Sequence, residues 1–298
     1  MATQLVWFKR DLRVHDHAPL VQAARSGPCL CLYLYEPELL HSPEFDASHL
    51  AFINQSLTEL SRELGHRGAA LVTRAGEATE VLDQLQREFA FDTIWSHQET
   101  GNRITYDRDR RVAAWARKRG VVWNQLPNHG VFRCLDSRDG WARRWETLMT
   151  QPVLSPPARI AAAAGGRSAG VCDATALGLA ASERVEAVSG GEAVARTTLE
   201  SFLQQRGVNY RADMSSPVQG WNGCSRLSPY LAWGNLSMRE IFRRTEARAA
   251  DLPVPVSLML DHGASVDQCR IAIDLGFTDV MYDGSGLPLD ENIANTQV

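Results

Sequence analysis

Short apolar runs alternate with amphipathic stretches over the first 125 residues of the chain. Residues 5–8, 30–35, 69–73, 93–95 and 121–123 have the length and apolar continuity of strands buried on both faces. Between the second and third runs, Leu50, Ile53, Leu57, Leu60 and Leu64 recur at three- and four-residue steps, which is one face of a helix. Ala78, Val81, Leu82, Leu85 and Phe89 mark a second helical face, and a third helix is predicted over residues 104–118, closed by Gly120. Strand–helix alternation of this kind predicts an α/β fold: a doubly wound, parallel five-stranded sheet with helices on both faces.

The pattern breaks at residues 151–191, where Pro152, Pro156 and Pro157 precede a run of alanine and glycine. Such a stretch reads as a linker crossing the surface, partly mobile. Helical periodicity resumes near Gly191, with Leu199, Phe202 and Leu203 on one face, and continues past Ser228 to about Ala249. Composition changes again after residue 252. Residues 1–150 hold 19 Lys+Arg against 19 Asp+Glu and residues 151–252 hold 11 against 9, whereas residues 253–298 hold 1 against 7. The expected organisation is therefore an α/β domain over 1–130, a linker over 131–190, a helical region over 191–252 and a separate C-terminal piece over 253–298.

The net charge of −4 does not mark a nucleic-acid binder, and no apolar run is long enough to cross a bilayer. With no leader-like N-terminus, a cytoplasmic protein without membrane association is expected. Six scattered cysteines without a C-x-x-C pair read as reduced thiols, mostly buried in strands.

The first strand is followed by a strongly charged loop, Lys9-Arg-Asp-Leu-Arg-Val-His-Asp16, without the glycines of a dinucleotide fingerprint. On its own it reads as a solvated, self-paired rim. Together with Val6-Trp-Phe8 before it, Tyr35-Glu-Pro37 after the second strand and Arg108-Asp-Arg-Arg-Val112 on a later helix, it resembles the opening of DNA photolyases and cryptochromes. That resemblance covers residues 1 to about 250. It implies a blue-light flavoprotein whose α/β domain can also hold an antenna folate or deazaflavin, lined by residues 97–102 and the helix over 103–118.

A second motif is Gly223-Cys-Ser-Arg-Leu-Ser-Pro-Tyr-Leu231. Ser228 is a good helix N-cap and Pro229 suits the first helical position. The free N–H groups there favour an anion, and Arg226 adds a guanidinium. The run resembles the flavin-phosphate loop of photolyases. By that resemblance Tyr210, Cys224, Ser225, Arg226, Leu227 and Ser228 contact FAD. Cys224 stands where the family has threonine, and its backbone N–H is expected to serve instead. Ser237 and Glu240 form an S-x-x-E capping box for the next helix. Residues 136–145 lack the family's Thr-Pro-Phe, a departure that points to a divergent branch. The resemblance implies damaged DNA as partner and light-driven repair or photoreception as role. The rest of the helical domain that builds a lesion pocket has no counterpart, so this form is expected to be inactive in repair.

Residues 253–298 resemble a fragment of class II fructose-bisphosphate or tagatose-bisphosphate aldolases. Residues 254–260 read as a strand ending in Asp261-His262, Ser265 and Gln268 as a capping box, and residues 277–282 as a second strand ending at Asp283. The aldolase resemblance makes Asp261 a proton donor, His262 a zinc ligand and Asp283 a ligand for a second cation. A catalytic zinc needs about three protein ligands and two strands cannot close an eight-stranded barrel, so no zinc site is expected. Two further readings stand beside the flavoprotein: a non-catalytic nucleotide- or pigment-binding α/β module, and a zinc-dependent aldolase resting on the C-terminal fragment alone.

Overall fold

The computed structural model describes residues 2–165, 168, 170–180, 182, 184, 187–251, 259–263, 265–274 and 279–296. The chain forms two compact units, residues 1–245 and 246–298.

The first unit is built on five strands, β1 (Gln4–Phe8), β2 (Cys29–Tyr35), β3 (Leu71–Ala75), β4 (Thr93–His97) and β5 (Val122–Leu126), all parallel, in the order β3-β2-β1-β4-β5. The apolar runs become strands because β1 and β2 are covered on both faces and every residue in them is buried. The helices are α1 (Ala18–Ser26), α2 (Pro37–Leu40), α3 (Ala47–His66), α4 (Ala78–Phe89) and α5 (Arg103–Arg119). The predicted apolar faces of α3 and α4 are buried, from Leu50 to Leu64 and from Ala78 to Phe89. Asp46 caps α3 by accepting from the Ser48 N–H at 2.8 Å. Gly120 closes α5 in the left-handed region at φ 68°.

Two helices carry no clear sequence signal. Helix α1 is capped by His17, whose ring Nδ1 accepts from the Leu20 N–H at 3.1 Å, and histidine is outside the usual capping set. Helix α6 (Trp141–Met149) follows Gly140 without a side-chain cap.

Residues 151–180 differ from the expected surface linker. Ile160 is buried and its N–H donates to the Arg67 carbonyl at 2.7 Å. Ala162 bridges to Cys29 in parallel fashion, with Cys29 N to Ala161 O at 2.7 Å and Ala163 N to Cys29 O at 2.9 Å. The segment thus occupies the hydrogen-bonding edge of β2 where β3, whose pairing begins at Cys31–Leu71, does not reach.

Beyond it lie α7 (Glu192–Gln204), a 3₁₀ turn (Arg206–Asn209), α8 (Tyr210–Asp213), α9 (Gly220–Gly223), α10 (Ser228–Ala232) and α11 (Met238–Ala250). Ala195 and Leu199 of α7, with Leu227, Tyr230, Trp233 and Leu236, join the core beneath α3 and the sheet. Only Cys29 and Cys31 among the cysteines lie in buried strand positions. Cys134 is exposed, Cys172 and Cys224 are half-buried, and Cys269 is buried on a helix, which corrects the expectation of strand cysteines.

The second unit contains β6 (Met259–Gly263), α12 (Val266–Asp274), β7 (Asp279–Tyr282) and α13 (Leu289–Thr296), with β6 and β7 parallel. This is one βαβ unit. Asp261 and His262 lie inside β6 rather than at its end; residues 254–258 and 277–278 of the predicted strands lie outside the described residues.

Candidate functional site

Strand order reverses on either side of β1, so the carboxyl ends of β1 and β4 form the switch point where open α/β sheets place ligands. The charged loop leaving β1 sits there, and it is not a solvated rim. Lys9, Asp11, Arg13, Asp16 and His17 are all buried. Burial on this scale is tolerable only because nearly every polar atom has a partner. Asp11 Oδ1 accepts the Lys9 N–H at 2.7 Å, while Oδ2 accepts from His17 Nε2 at 3.0 Å and His97 Nδ1 at 2.7 Å. These donors hold the Asp11 carboxyl well below its ordinary range despite burial, which acts the other way. Burial, with the neighbouring His17, pushes His97 down to about 3, so its ring is neutral.

Arg13 donates to the carbonyls of His15, Gly234 and Asp16 and to Asn128 Oδ1, each at 3.0 Å. Leu12 and Asn235 add two more bonds, Leu12 N to Trp233 O and Asn235 Nδ2 to Leu12 O, both at 3.0 Å. Gly234 is in the left-handed region at φ 64°, and a Cβ there would press into the backbone of Arg10 and Asp11. The segment after α10 is therefore locked to the loop after β1.

Asp11, His17 and His97 present ligand atoms within 4.8 Å of one another, the span of a metal ligand set. Hydrogen-bond accounting gives them a different role. The Leu20 N–H consumes the lone pair of His17 Nδ1, so Nε2 carries the ring proton and donates it to Asp11. His17 has no lone pair left to offer a metal while it caps α1.

A cavity of about 150 Å³ opens beside this triad, and its lining includes Lys9, Arg10, His97, Asn128, His129 and Leu231. A second space, beside Arg108, Glu36 and Trp7, measures only about 20 Å³. There Arg108 pairs with Glu36, Glu99 and Asp109 and lies 4.9 Å from the Trp7 ring centroid. Helix α5 thus sends its buried arginine into ion pairs at the place expected to line an antenna.

The second candidate is the loop from Gly223 to Ser228. Arg206 holds it: its guanidinium donates to the carbonyl of Cys224, to that of Ser225 at 3.2 Å, to Thr198 O at 2.9 Å and to Ser201 Oγ at 2.8 Å. Sequence reasoning did not single out Arg206, and nothing in its local spacing marks it. Arg226 adopts φ 58°, unusual for a non-glycine residue. Its guanidinium lies 5.2 Å from the Trp221 ring centroid, and its buried Nε has no hydrogen-bond partner among the described residues.

Leu227 is buried in the core and Ser228 is exposed. Ser228 is the first residue of α10 rather than its cap, and Leu227, at the cap position, has no side-chain acceptor to offer. The Cys224 N–H is already bonded to Gly220 O at 2.9 Å, so it does not substitute for the threonine hydroxyl as expected. Tyr210 is 42% exposed, with its ring edge-on to Phe202 at 5.8 Å. Gly223 packs against Asp213 so closely that a Cβ would clash, which brings the helix bearing Tyr210 against the start of the loop. At the next helix, Ser237 Oγ accepts the Glu240 N–H at 2.9 Å. The Glu240 carboxylate reaches instead to Arg196, so only half of the predicted capping box forms.

Residues 4–142 match the DNA photolyase family model, and residues 222–298 match that of class II fructose-bisphosphate aldolases. The deoxyribodipyrimidine photo-lyase of Synechococcus is 23% identical, over 83% of this chain and 54% of its own length. The chloroplastic/mitochondrial cryptochrome DASH of Arabidopsis thaliana is 24% identical, over 81% and 47%. The chain is thus similar to DNA photolyases and cryptochromes. A Synechocystis cryptochrome superposes with a TM-score of 0.72 at 20% identity, covering 92% of this chain and 59% of that one. A class III photolyase from Agrobacterium tumefaciens gives 0.69, at 20% identity, over 92% and 57%. The chain spans about half the length of the curated relatives it matches, and it shares the fold of the two solved structures.

In the second unit, the Asp283 carboxylate accepts the Ser285 N–H at 3.0 Å in the turn after β7. Ser265 Oγ accepts the Gln268 N–H at 3.2 Å at the start of α12. No helix among the described residues is long and apolar enough to cross a membrane.

Proposed function

We propose that this chain is a flavin-holding module of the photolyase/cryptochrome type, which binds FAD through the loop of residues 223–228. The observation that carries the reading is Arg226, whose backbone is strained and whose buried Nε is unpartnered. A buried guanidinium nitrogen with no acceptor costs stability unless an anion meets it. A diphosphate fits that description, and Ser225 and Ser228 on either side carry hydroxyl donors. Arg206 has the positioning role, because its guanidinium ties the carbonyls of residues 222, 224 and 225 to Thr198 O and Ser201 Oγ of α7. Tyr210 offers an exposed aromatic surface for an apolar ring. When bound, FAD supplies the light-absorbing and electron-transferring ring. By the same kinship, blue-light repair or photoreception, with damaged DNA as partner, is the role of the assembled protein. An antenna folate or deazaflavin beside α5 would require Arg108 to leave its ion pairs.

The aldolase reading has less support. His262 and Asp283 as metal ligands, with Asp261 as proton donor, would have to act from one βαβ unit, and Asp283 already serves its own turn.

The test is the visible spectrum of the purified chain after incubation with FAD and desalting. Stoichiometric retained flavin, lost in Arg226→Ala, is the expected result. A colourless wild-type protein would overturn the assignment.

A further inference from the structure

The position beside α5 that the photolyase resemblance gives to an antenna folate or deazaflavin is filled by the chain's own ion pairs. We infer that this unit takes no second chromophore there and, given the flavin reading above, that flavin is its sole absorber of visible light.

The face of α5 turned to the sheet is fully used. Val112 and Ala116 pack into the core, and Arg108 and Asp109 are buried. Arg108 places its guanidinium among the carboxylates of Glu36, Glu99 and Asp109 and against the Trp7 ring. From the loop after β5, Arg133 donates to Asp109 Oδ2 at 2.9 Å, to Gln125 Oε1 at 3.1 Å and to the Glu99 carbonyl. The loop before α5 is pinned as well: Asn102 Oδ1 accepts the Thr105 N–H at 3.1 Å, and Asn102 Nδ2 donates to Glu44 Oε2 at 2.6 Å. A ring entering here must part Arg108 from its carboxylates. Breaking a buried charge pair weakens affinity by roughly a hundred- to a few-thousand-fold.

The remaining spaces have the wrong size and chemistry for a ring. Between Trp7, Glu36, Glu99 and Arg108 about 20 Å³ is left, room for one water. Lys9 and Arg10 also line that space, and their buried Nζ and Nε have no hydrogen-bond partner among the described residues. Lys9 Nζ lies 5.1 Å from the Trp7 ring centroid, and the Arg10 guanidinium 4.9 Å from that of Trp233, both rings of the same wall. Idle donors in a space of this size suit a water. The neighbouring cavity beside residues 97–100 measures about 150 Å³, whereas pockets for drug-sized ligands hold roughly 300–1,000 Å³ behind mostly hydrophobic and aromatic walls. Of its eleven lining residues only Leu231 and Ala232 are apolar.

The experiment is equilibrium dialysis of the full chain, with and without FAD, against 5-deazariboflavin and methenyltetrahydrofolate, together with a crystal structure of the same protein. Neither pigment should bind measurably at tens of micromolar. The crystal should show Arg108 on its three carboxylates and one ordered water beside Lys9 and Arg10. With dithiothreitol as reductant, the action spectrum of flavin photoreduction should follow flavin absorption alone when either pigment is added. A pigment held near one per chain, with Arg108 displaced in the crystal, would overturn the inference. So would an action spectrum that gains a band from the pigment. Failure of FAD to bind would sink the flavin reading and leave the dialysis and crystal results standing, because neither needs flavin.

Discussion

Two arginine-bearing loops of the first unit face opposite fates. In residues 9–17, Arg13 is buried and spends its guanidinium on acceptors from its own loop, from Asn128 and from Gly234. In residues 223–228, Arg226 is half-buried, strained and left with an idle donor. The difference separates construction from recognition. A polar group whose partners are all protein atoms builds the fold; one that is buried and unpartnered is held ready for something that arrives later.

That contrast predicts unequal costs. Asp11→Asn should be the most damaging change, because it removes the charge and puts an NH2 donor in place of one of the two oxygens that accept from Lys9 N, His17 and His97. A loss of about 3–5 kcal/mol is expected from breaking a buried charged network, measured by urea denaturation. A loss under about 1 kcal/mol would show that the network is decoration. Gly234→Ala should follow, at roughly 2–3 kcal/mol, since it combines an unfavourable left-handed φ with overpacking against Arg10. Its denaturation midpoint should fall without a change in slope.

Acidification sharpens the comparison from another side. His97 is held down to about 3 and His129 to about 4, both chiefly by burial, while an unfolded histidine titrates near 6.5. Between those values the unfolded chain binds more protons, so stability rises with pH. It should therefore be fully present above about pH 6.5 and fall as pH drops toward 3, by up to about 1.4 kcal/mol per pH unit for each histidine. Asp11, depressed below its unfolded value, adds a further loss below about pH 4. A flat profile from pH 7 to 5 would contradict the buried neutral state of His97. Arg226→Ala should have the smallest effect on stability, within about 0.5 kcal/mol, while abolishing flavin retention. Equal stability losses at Arg13→Ala and Arg226→Ala would erase the distinction between the loops.

Much of the sheet was legible, because β1 and β2 are continuous apolar runs and such runs are fully buried in a parallel sheet. The faces of α3 and α4 were equally plain. The burial of the loop after β1 was not. Its charges look solvent-bound in sequence, and their partners His97, Asn128 and Gly234 lie 86 to 221 positions away. Helix α1 was hidden by its histidine cap. The motif around residues 223–231 was visible as a string, yet its local reading failed at two atoms. The Ser228 hydroxyl does not cap the helix, and the Cys224 N–H is taken by Gly220. Arg206, which anchors the loop, acts through carbonyls that no pattern of side chains reveals.

The bonds from residues 12 and 13 to Trp233, Gly234 and Asn235 also govern the order of events during synthesis. The first strand leaves the ribosome early, but Arg13 and the Leu12 backbone meet these partners only after more than two hundred further residues have been added. At roughly 5–20 residues per second, that is a wait on the order of ten to forty seconds. Throughout it the nascent sheet carries an arginine beyond the carboxyl end of its central strand that must stay hydrated. The strand ends should therefore close last, and a ribosome-bound chain arrested before residue 233 should keep this corner accessible to protease while β2 and α3 are already protected.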